Sequence, residues 1–130
     1  MSIEGKKILW VEDDQFMTSL LARRIADEKG ILLHAPEGEK ALEILKTETP
    51  DVIMLDILLP GMDGFEILRQ VKANPKTRQV PVILLSNLGQ KADTDRGAML
   101  GANRFLVKAI ITLDQIVKEI SSVLEETPKS

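Results

Sequence analysis

The chain has no cysteine, no tyrosine, a single histidine and only four aromatic residues: Trp10, Phe16, Phe65 and Phe105. Without cysteine there can be no disulfide, no thiolate metal site and no cysteine nucleophile. No apolar run approaches the ~20 residues of a membrane span, and no charged-then-apolar leader opens the sequence. A basic stripe is missing too: the formal net charge is −3, the pI is near 5.2, and Lys and Arg are scattered. Nucleic-acid readers combine such a stripe with aromatic platforms, so direct nucleic-acid binding is not expected. A membrane location is not expected either, and by default the protein is placed in the cytoplasm. The length of 130 residues and 44% hydrophobic content suit one globular domain with a real core. That core is expected over about 6–125, with a short flexible tail at 126–130.

What is present is an alternation. Short apolar runs at 8–11, 31–34, 52–55, 82–85 and 104–107 read as strands. Helical patterns near 14–29, 38–48, 64–73, 90–100 and 112–125 separate and follow them. In the last of these, Leu113, Ile116, Val117, Ile120 and Leu124 form a one-sided stripe. Strands this short and continuously apolar fit a parallel sheet covered on both faces, hence a doubly wound α/β domain with right-handed crossovers. Gly30 is expected to close the first helix, Pro50-Asp51 to precede the third strand, and Pro81 to open the fourth. The fourth helix, QKADTDRGAML, has Gly97, several charges and few apolar anchors. It is either a partly exposed surface helix or an element soft enough to move.

Polar residues stand directly after four of the strands. Glu12-Asp13 follow KKILWV, Asp56 ends VIMLD, Ser86 ends VILLS, and Lys108 ends RFLVK. Ligands of open parallel sheets bind beyond the carboxyl ends of the strands, so residues distant in sequence converge there. Each residue has an ordinary explanation by itself, since acids and serines cap helices, as Asp14 is expected to do, and lysines solvate surfaces. Unrelated roles would not put all of them at strand ends. Glu12, Asp13 and Asp56 contribute three negative charges and Lys108 one positive, leaving about −2, which a divalent cation brings to zero. Hard oxygen ligands suit Mg²⁺, with Mn²⁺ as a substitute. Asp56 is then the natural nucleophile for a phosphoryl group, forming an acyl phosphate. Lys108 would neutralise the equatorial oxygens and Ser86 would donate its hydroxyl to one of them.

The stretches ILWVEDD, PDVIMLDILLPGMDGFE, VPVILLSN and GANRFLVKA resemble the receiver domain of two-component response regulators. The resemblance covers nearly the whole chain and is to the stand-alone, chemotaxis-regulator kind. It implies a flavodoxin-like (βα)5 fold with strand order 2-1-3-4-5. Carried over, Asp56 is the phosphoacceptor, and Glu12 and Asp13 are the acidic pair. Asp13 and Asp56 bind the metal directly, Glu12 through water, and the Leu58 backbone carbonyl is a further ligand. Ser86 is the switch hydroxyl, Lys108 the partner lysine, and Phe105 the switch aromatic, for which plain core packing is the alternative. The responsive surface is helix 4, strand 5 and helix 5. Gly61 and Gly64 suit a tight turn beside the acceptor, stiffened by Pro60. Two residues depart from the family pattern. Ala109 stands where a cis proline usually follows the lysine; a non-proline cis bond costs ~3–4 kcal/mol, so a trans bond is expected. Asn87 replaces a small residue and alters access to the phosphoryl group.

The resemblance implies a phosphorylation-controlled signalling switch with no attached output domain. Its phosphoryl donor would be a sensor histidine kinase or a histidine phosphotransfer protein, and its output a downstream protein target or relay partner. It would be a monomer or a weak phosphorylation-dependent dimer, and no enzyme beyond its own phosphotransfer and autodephosphorylation. Two other readings compete. A phosphate-independent interaction module on the same fold would typically have lost the acceptor or the acidic pair, and this chain keeps both. A small-molecule phosphohydrolase usually needs a second carboxylate two residues beyond the nucleophile, where Leu58 stands.

Overall fold

The computed structural model describes residues 2–87 and 89–126. Strands and helices alternate: β1 (Lys7–Val11), α1 (Gln15–Asp27), β2 (Ile31–Ala35), α2 (Gly38–Thr47), β3 (Val52–Asp56), α3 (Gly64–Ala73), β4 (Val82–Ser86), α4 (Lys91–Met99), β5 (Arg104–Val107) and α5 (Leu113–Glu126). All strand pairs are parallel, and the sheet runs β2-β1-β3-β4-β5, the expected doubly wound order. Glu126 belongs to α5 rather than to a tail, and the rest of the expected tail, from 127 on, lies outside the described residues. No helix among the described residues is long and apolar enough to cross a membrane.

Alternation along each strand divides the core into two halves. Leu9, Val11, Ile53, Leu55 and Leu84 face one side, where α2 and α3 supply Ala41, Leu45, Ile67, Leu68 and Val71. Ile8, Trp10, Met54, Ile83 and Leu85 face the other, against Leu21 and Ile25 of α1 and Ile116 and Ile120 of α5. Each buried aliphatic side chain contributes ~1.5–3 kcal/mol, so α5, with Ile116, Val117, Ile120 and Val123 inside, is firmly held. By contrast α4 buries only Gly97, which makes it the most weakly anchored helix of the fold, as its sequence suggests.

Helix ends follow local chemistry. Asp14 caps α1, its carboxylate accepting from the Met17 amide at 3.0 Å, and Asp63 caps α3 by accepting from Glu66 at 2.9 Å. Trp10 ties β1 to α1 by donating its indole N–H to the Thr18 hydroxyl at 3.0 Å. At the end of α1 the expectation needs correction. Lys29, not Gly30, takes the left-handed conformation, with φ of 63°. The Lys29 amide donates to the Ala26 carbonyl and the Gly30 amide to that of Ile25, a Schellman arrangement. Gly30 is needed for closeness instead, because a Cβ there would lie 3.0 Å from Ile25 Cγ2 and 3.3 Å from Ile3 Cδ1.

A left-handed lysine carries ~1–2 kcal/mol of strain, which glycine avoids at a smaller cost in backbone entropy. Lys29→Gly should therefore raise unfolding stability by about 0.5–1 kcal/mol, read as a higher urea midpoint at unchanged slope. A lower midpoint would show that the Lys29 side chain holds the turn.

Candidate functional site

Parallel pairing brings the carboxyl ends of four strands to one edge. Val11 pairs with Leu55, Asp56 with Leu85, and Ser86 with Val107. Backbone bonds carry the ladder one step further: the Glu12 amide donates to Ala35, Ile57 to Leu85, and Lys108 to Ser86 at 2.8 Å. Glu12 and Asp56 thus leave the sheet at one level, with Ser86 one residue and Lys108 two residues beyond it.

The Lys108 ammonium lies between two carboxylates, donating to Glu12 Oε1 at 2.6 Å and to Asp56 Oδ2 at 2.8 Å. The remaining oxygens take backbone donors: Asp56 Oδ1 accepts from the Leu58 amide at 3.0 Å, and Glu12 Oε2 from that of Asp14 at 3.1 Å. Glu12 and Asp56 are buried, whereas Asp13 is exposed. One carboxylate oxygen from each of the three lies within 4.8 Å of the others. Three hard oxygens, one of them open to solvent and none accompanied by nitrogen or sulfur ligands, fit a hydrated divalent cation such as Mg²⁺. Burial pushes the Glu12 carboxyl up to about 7; Asp56 adds to the rise, and Lys108 opposes it without cancelling it. Burial by itself would lower the Lys108 ammonium, but its bonds to Asp56 and Glu12 outweigh that and hold it above the ordinary lysine value.

Ser86, also buried, lines an adjoining cleft of about 550 Å³ together with Leu58, Phe65, Asn87 and Arg96. Phe105 is not in this pocket. Its half-buried ring packs against the core on the α3 side, near α4. No cis peptide bond occurs among the described residues, so the Lys108–Ala109 bond is trans as expected, and the lysine reaches both carboxylates from it. Gly61 adopts φ of 79°, as a tight turn requires, but Gly64 does not have a positive φ. What Gly64 provides is contact: a Cβ there would lie 2.5 Å from the Asp56 carbonyl oxygen, so α3 starts directly on the strand end.

Two neighbours of the site escaped the sequence reading. His34 Nε2 lies 2.8 Å from the Glu12 carbonyl oxygen, a placement that strand order alone could have suggested, since His34 lies in β2 beside β1. Arg96 of α4 stacks over the Phe65 ring, 4.3 Å from its centroid, and nothing in the spacing of the two residues announced it.

Comparison with known proteins gives a consistent picture. The family model of the response regulator receiver domain matches residues 8–121. The response regulator PleD of Caulobacter vibrioides is 38% identical over 104 residues, which are 80% of this chain and 23% of that protein. The chain therefore spans about a quarter of that relative's length. The signal receiver domain of a signal transduction histidine kinase from Syntrophus aciditrophicus has a TM-score of 0.87 at 28% identity, covering 97% of this chain and 95% of its own. The phosphorylated cyanobacterial phytochrome response regulator RcpA gives 0.80 at 26% identity, covering 95% and 94%. Receiver domains bind Mg²⁺ at an acidic pocket, and Glu12, Asp13 and Asp56 form an acidic cluster here.

The Glu12 carboxyl makes a pH prediction. Between the usual 4.5 and about 7 the folded chain keeps a proton that the unfolded chain has released. Folding takes up a proton in that window, so this group's contribution to stability declines as pH rises through it. Without divalent metal, Glu12→Gln should gain about 1–3 kcal/mol on the parent between pH 5 and pH 8, at about 1.4 kcal/mol per pH unit of the window. Urea unfolding at four pH values measures this, and parallel stability curves would refute it.

Proposed function

The chain belongs to the response regulator receiver domain family, and we propose that it works as a phosphoacceptor switch in which Asp56 takes the phosphoryl group. The observation that carries this reading is the ammonium of Lys108 held between Glu12 and Asp56 at the end of the sheet, with Asp13 beside them. An Asp56 oxygen attacks the phosphorus of a phosphohistidine on the donor; the P–O bond forms, the P–N bond breaks, and the imidazole leaves. Asp13, Asp56 and the Leu58 carbonyl would hold Mg²⁺, with Glu12 alongside. When bound, the ion supplies positive charge against the phosphoryl oxygens.

The chain's own residues supply the rest. Lys108 exchanges one carboxylate contact for a phosphoryl oxygen, which its flexible stem permits. Ser86, at the end of β4, offers its hydroxyl to another oxygen, and Phe105 follows on β5. Through these two residues the change reaches α4, β5 and α5, the face that docks a downstream protein. The phosphorylated state of the related cyanobacterial regulator supports the same chemistry here. Donor and target are proteins: a sensor histidine kinase or histidine phosphotransfer protein on one side, an effector or relay partner on the other.

With Mg²⁺ and a small phosphodonor, the parent should gain one phosphoryl mass, and Asp56→Asn should gain none while keeping its fold by circular dichroism. Labelling of Asp56→Asn at the parental rate would remove Asp56 from the role, and an unlabelled parent would favour a phosphate-independent interaction module. Asp13→Ala should weaken Mg²⁺ binding at least tenfold, followed by the fluorescence of Trp10, buried three residues before it in sequence. Relief of carboxylate repulsion should at the same time leave the metal-free fold no less stable. Unchanged Mg²⁺ affinity would place the ion elsewhere.

A further inference from the structure

Few contacts hold α4: its capping residue Leu100 packs on the core, and within the helix two consecutive residues, buried Gly97 and exposed Arg96, make specific contacts. Gly97, its one buried residue, lets the helix backbone rest directly on the Leu84 and Phe105 side chains of the sheet, with no side chain of its own between. A Cβ at 97 would lie 2.6 Å from Leu84 Cδ1 and 3.7 Å from Phe105 Cδ2. Arg96 reaches the other way, its guanidinium carbon 4.3 Å from the centroid of Phe65. Phe65 is buried in the first turn of α3, and α3 itself starts against the Asp56 carbonyl through Gly64. Arg96 also lines the cleft that contains Ser86, Asn87 and Leu58.

From this geometry we propose that the Arg96–Phe65 stack is a latch that holds α4 against α3 and opposes phosphorylation of Asp56. Gly97 is the pivot on which the helix bears, and the stack is the tie. Because α3 is fixed to the acceptor strand, the tie binds the weakly anchored helix to the firmest part of the site. A cation over an aromatic face is attracted by the ring quadrupole, and a buried ring face removes competing water from one side. A phosphoryl group that draws Ser86 and the segment after β4 toward Asp56 pulls on the helix that the stack restrains. Whatever free energy the stack loses in the shifted arrangement is subtracted from phosphoryl binding, and reciprocally the phosphoryl group weakens the stack. Arg96 is thus a positioning residue, acting through α4.

The inference rests on the phosphoacceptor reading, and the test separates the two. Arg96→Met keeps the stem and removes the charge. Beryllofluoride with Mg²⁺ serves as the phosphoryl probe, its affinity read by Trp10 fluorescence, and hydrogen exchange reports on α4. In the unliganded variant the amides of α4 should exchange several-fold faster than in the parent. Beryllofluoride should bind about fivefold more tightly, and Arg96→Lys should fall between the two. Affinity then rises while stability falls, a combination that a merely structural role would not give. Unchanged exchange in α4, or faster exchange without tighter binding, overturns the latch. A parent that does not bind beryllofluoride at all refutes the phosphoacceptor reading and the coupling with it. A parent that binds and an Arg96→Met variant that binds no better refute the latch alone.

Discussion

Everything at this site depends on one ammonium group shared by two buried carboxylates. Glu12 and Asp56 sit at the ends of adjacent strands, and without Lys108 they would be two like charges in a half-closed space. Lys108 comes from β5, two strands from β3, a distance of roughly 10 Å at the usual strand spacing. A long, flexible stem covers it, and a compact point charge fits between two oxygens where a planar guanidinium would commit to one. One ammonium does not neutralise two carboxylates, and Asp13 adds a third on the exposed side, so the group keeps a formal charge of about −2. On the proposed function, an internal cation that can be redistributed is what would let one pocket accept first a divalent ion and then a phosphoryl group.

Most of the fold was legible because its signals are strong and local. Five continuously apolar runs can be covered only by helices on both faces, and the β2-β1-β3-β4-β5 order follows from the family resemblance. The observed strands differ from expectation by single residues at their ends, β3 and β4 extending to Asp56 and Ser86 themselves. The convergence of Glu12, Asp56, Ser86 and Lys108 was equally legible, since parallel strands all point their carboxyl ends one way. The particular roles of these residues in phosphoryl chemistry remain proposals.

Sequence reasoning failed where two backbone segments approach each other. Gly30 looked like the left-handed cap of α1, yet Lys29 takes that conformation and Gly30 makes room for Ile3 and Ile25. Gly64 looked like a turn glycine and is in fact a contact surface against Asp56. The stack of Arg96 on Phe65 is a long-range contact between side chains of two helices, and no periodicity encodes it. Composition could signal that α4 is loosely anchored, but not what restrains it.

The contact at Gly64 divides the pocket into unequal walls. On one side β3 and the first turn of α3 touch backbone to backbone at Gly64, with Asp63 capping the helix, so there is little room for one to move past the other. On the other side the end of β4 leads into a helix with a single buried glycine. The proposed chemistry would thus be fastened to the rigid wall and the proposed response to the compliant one. If the proposed function holds, sequence drift on α4 would change which protein is recognised, or how readily the surface rearranges, while the Asp56 carboxylate keeps its place.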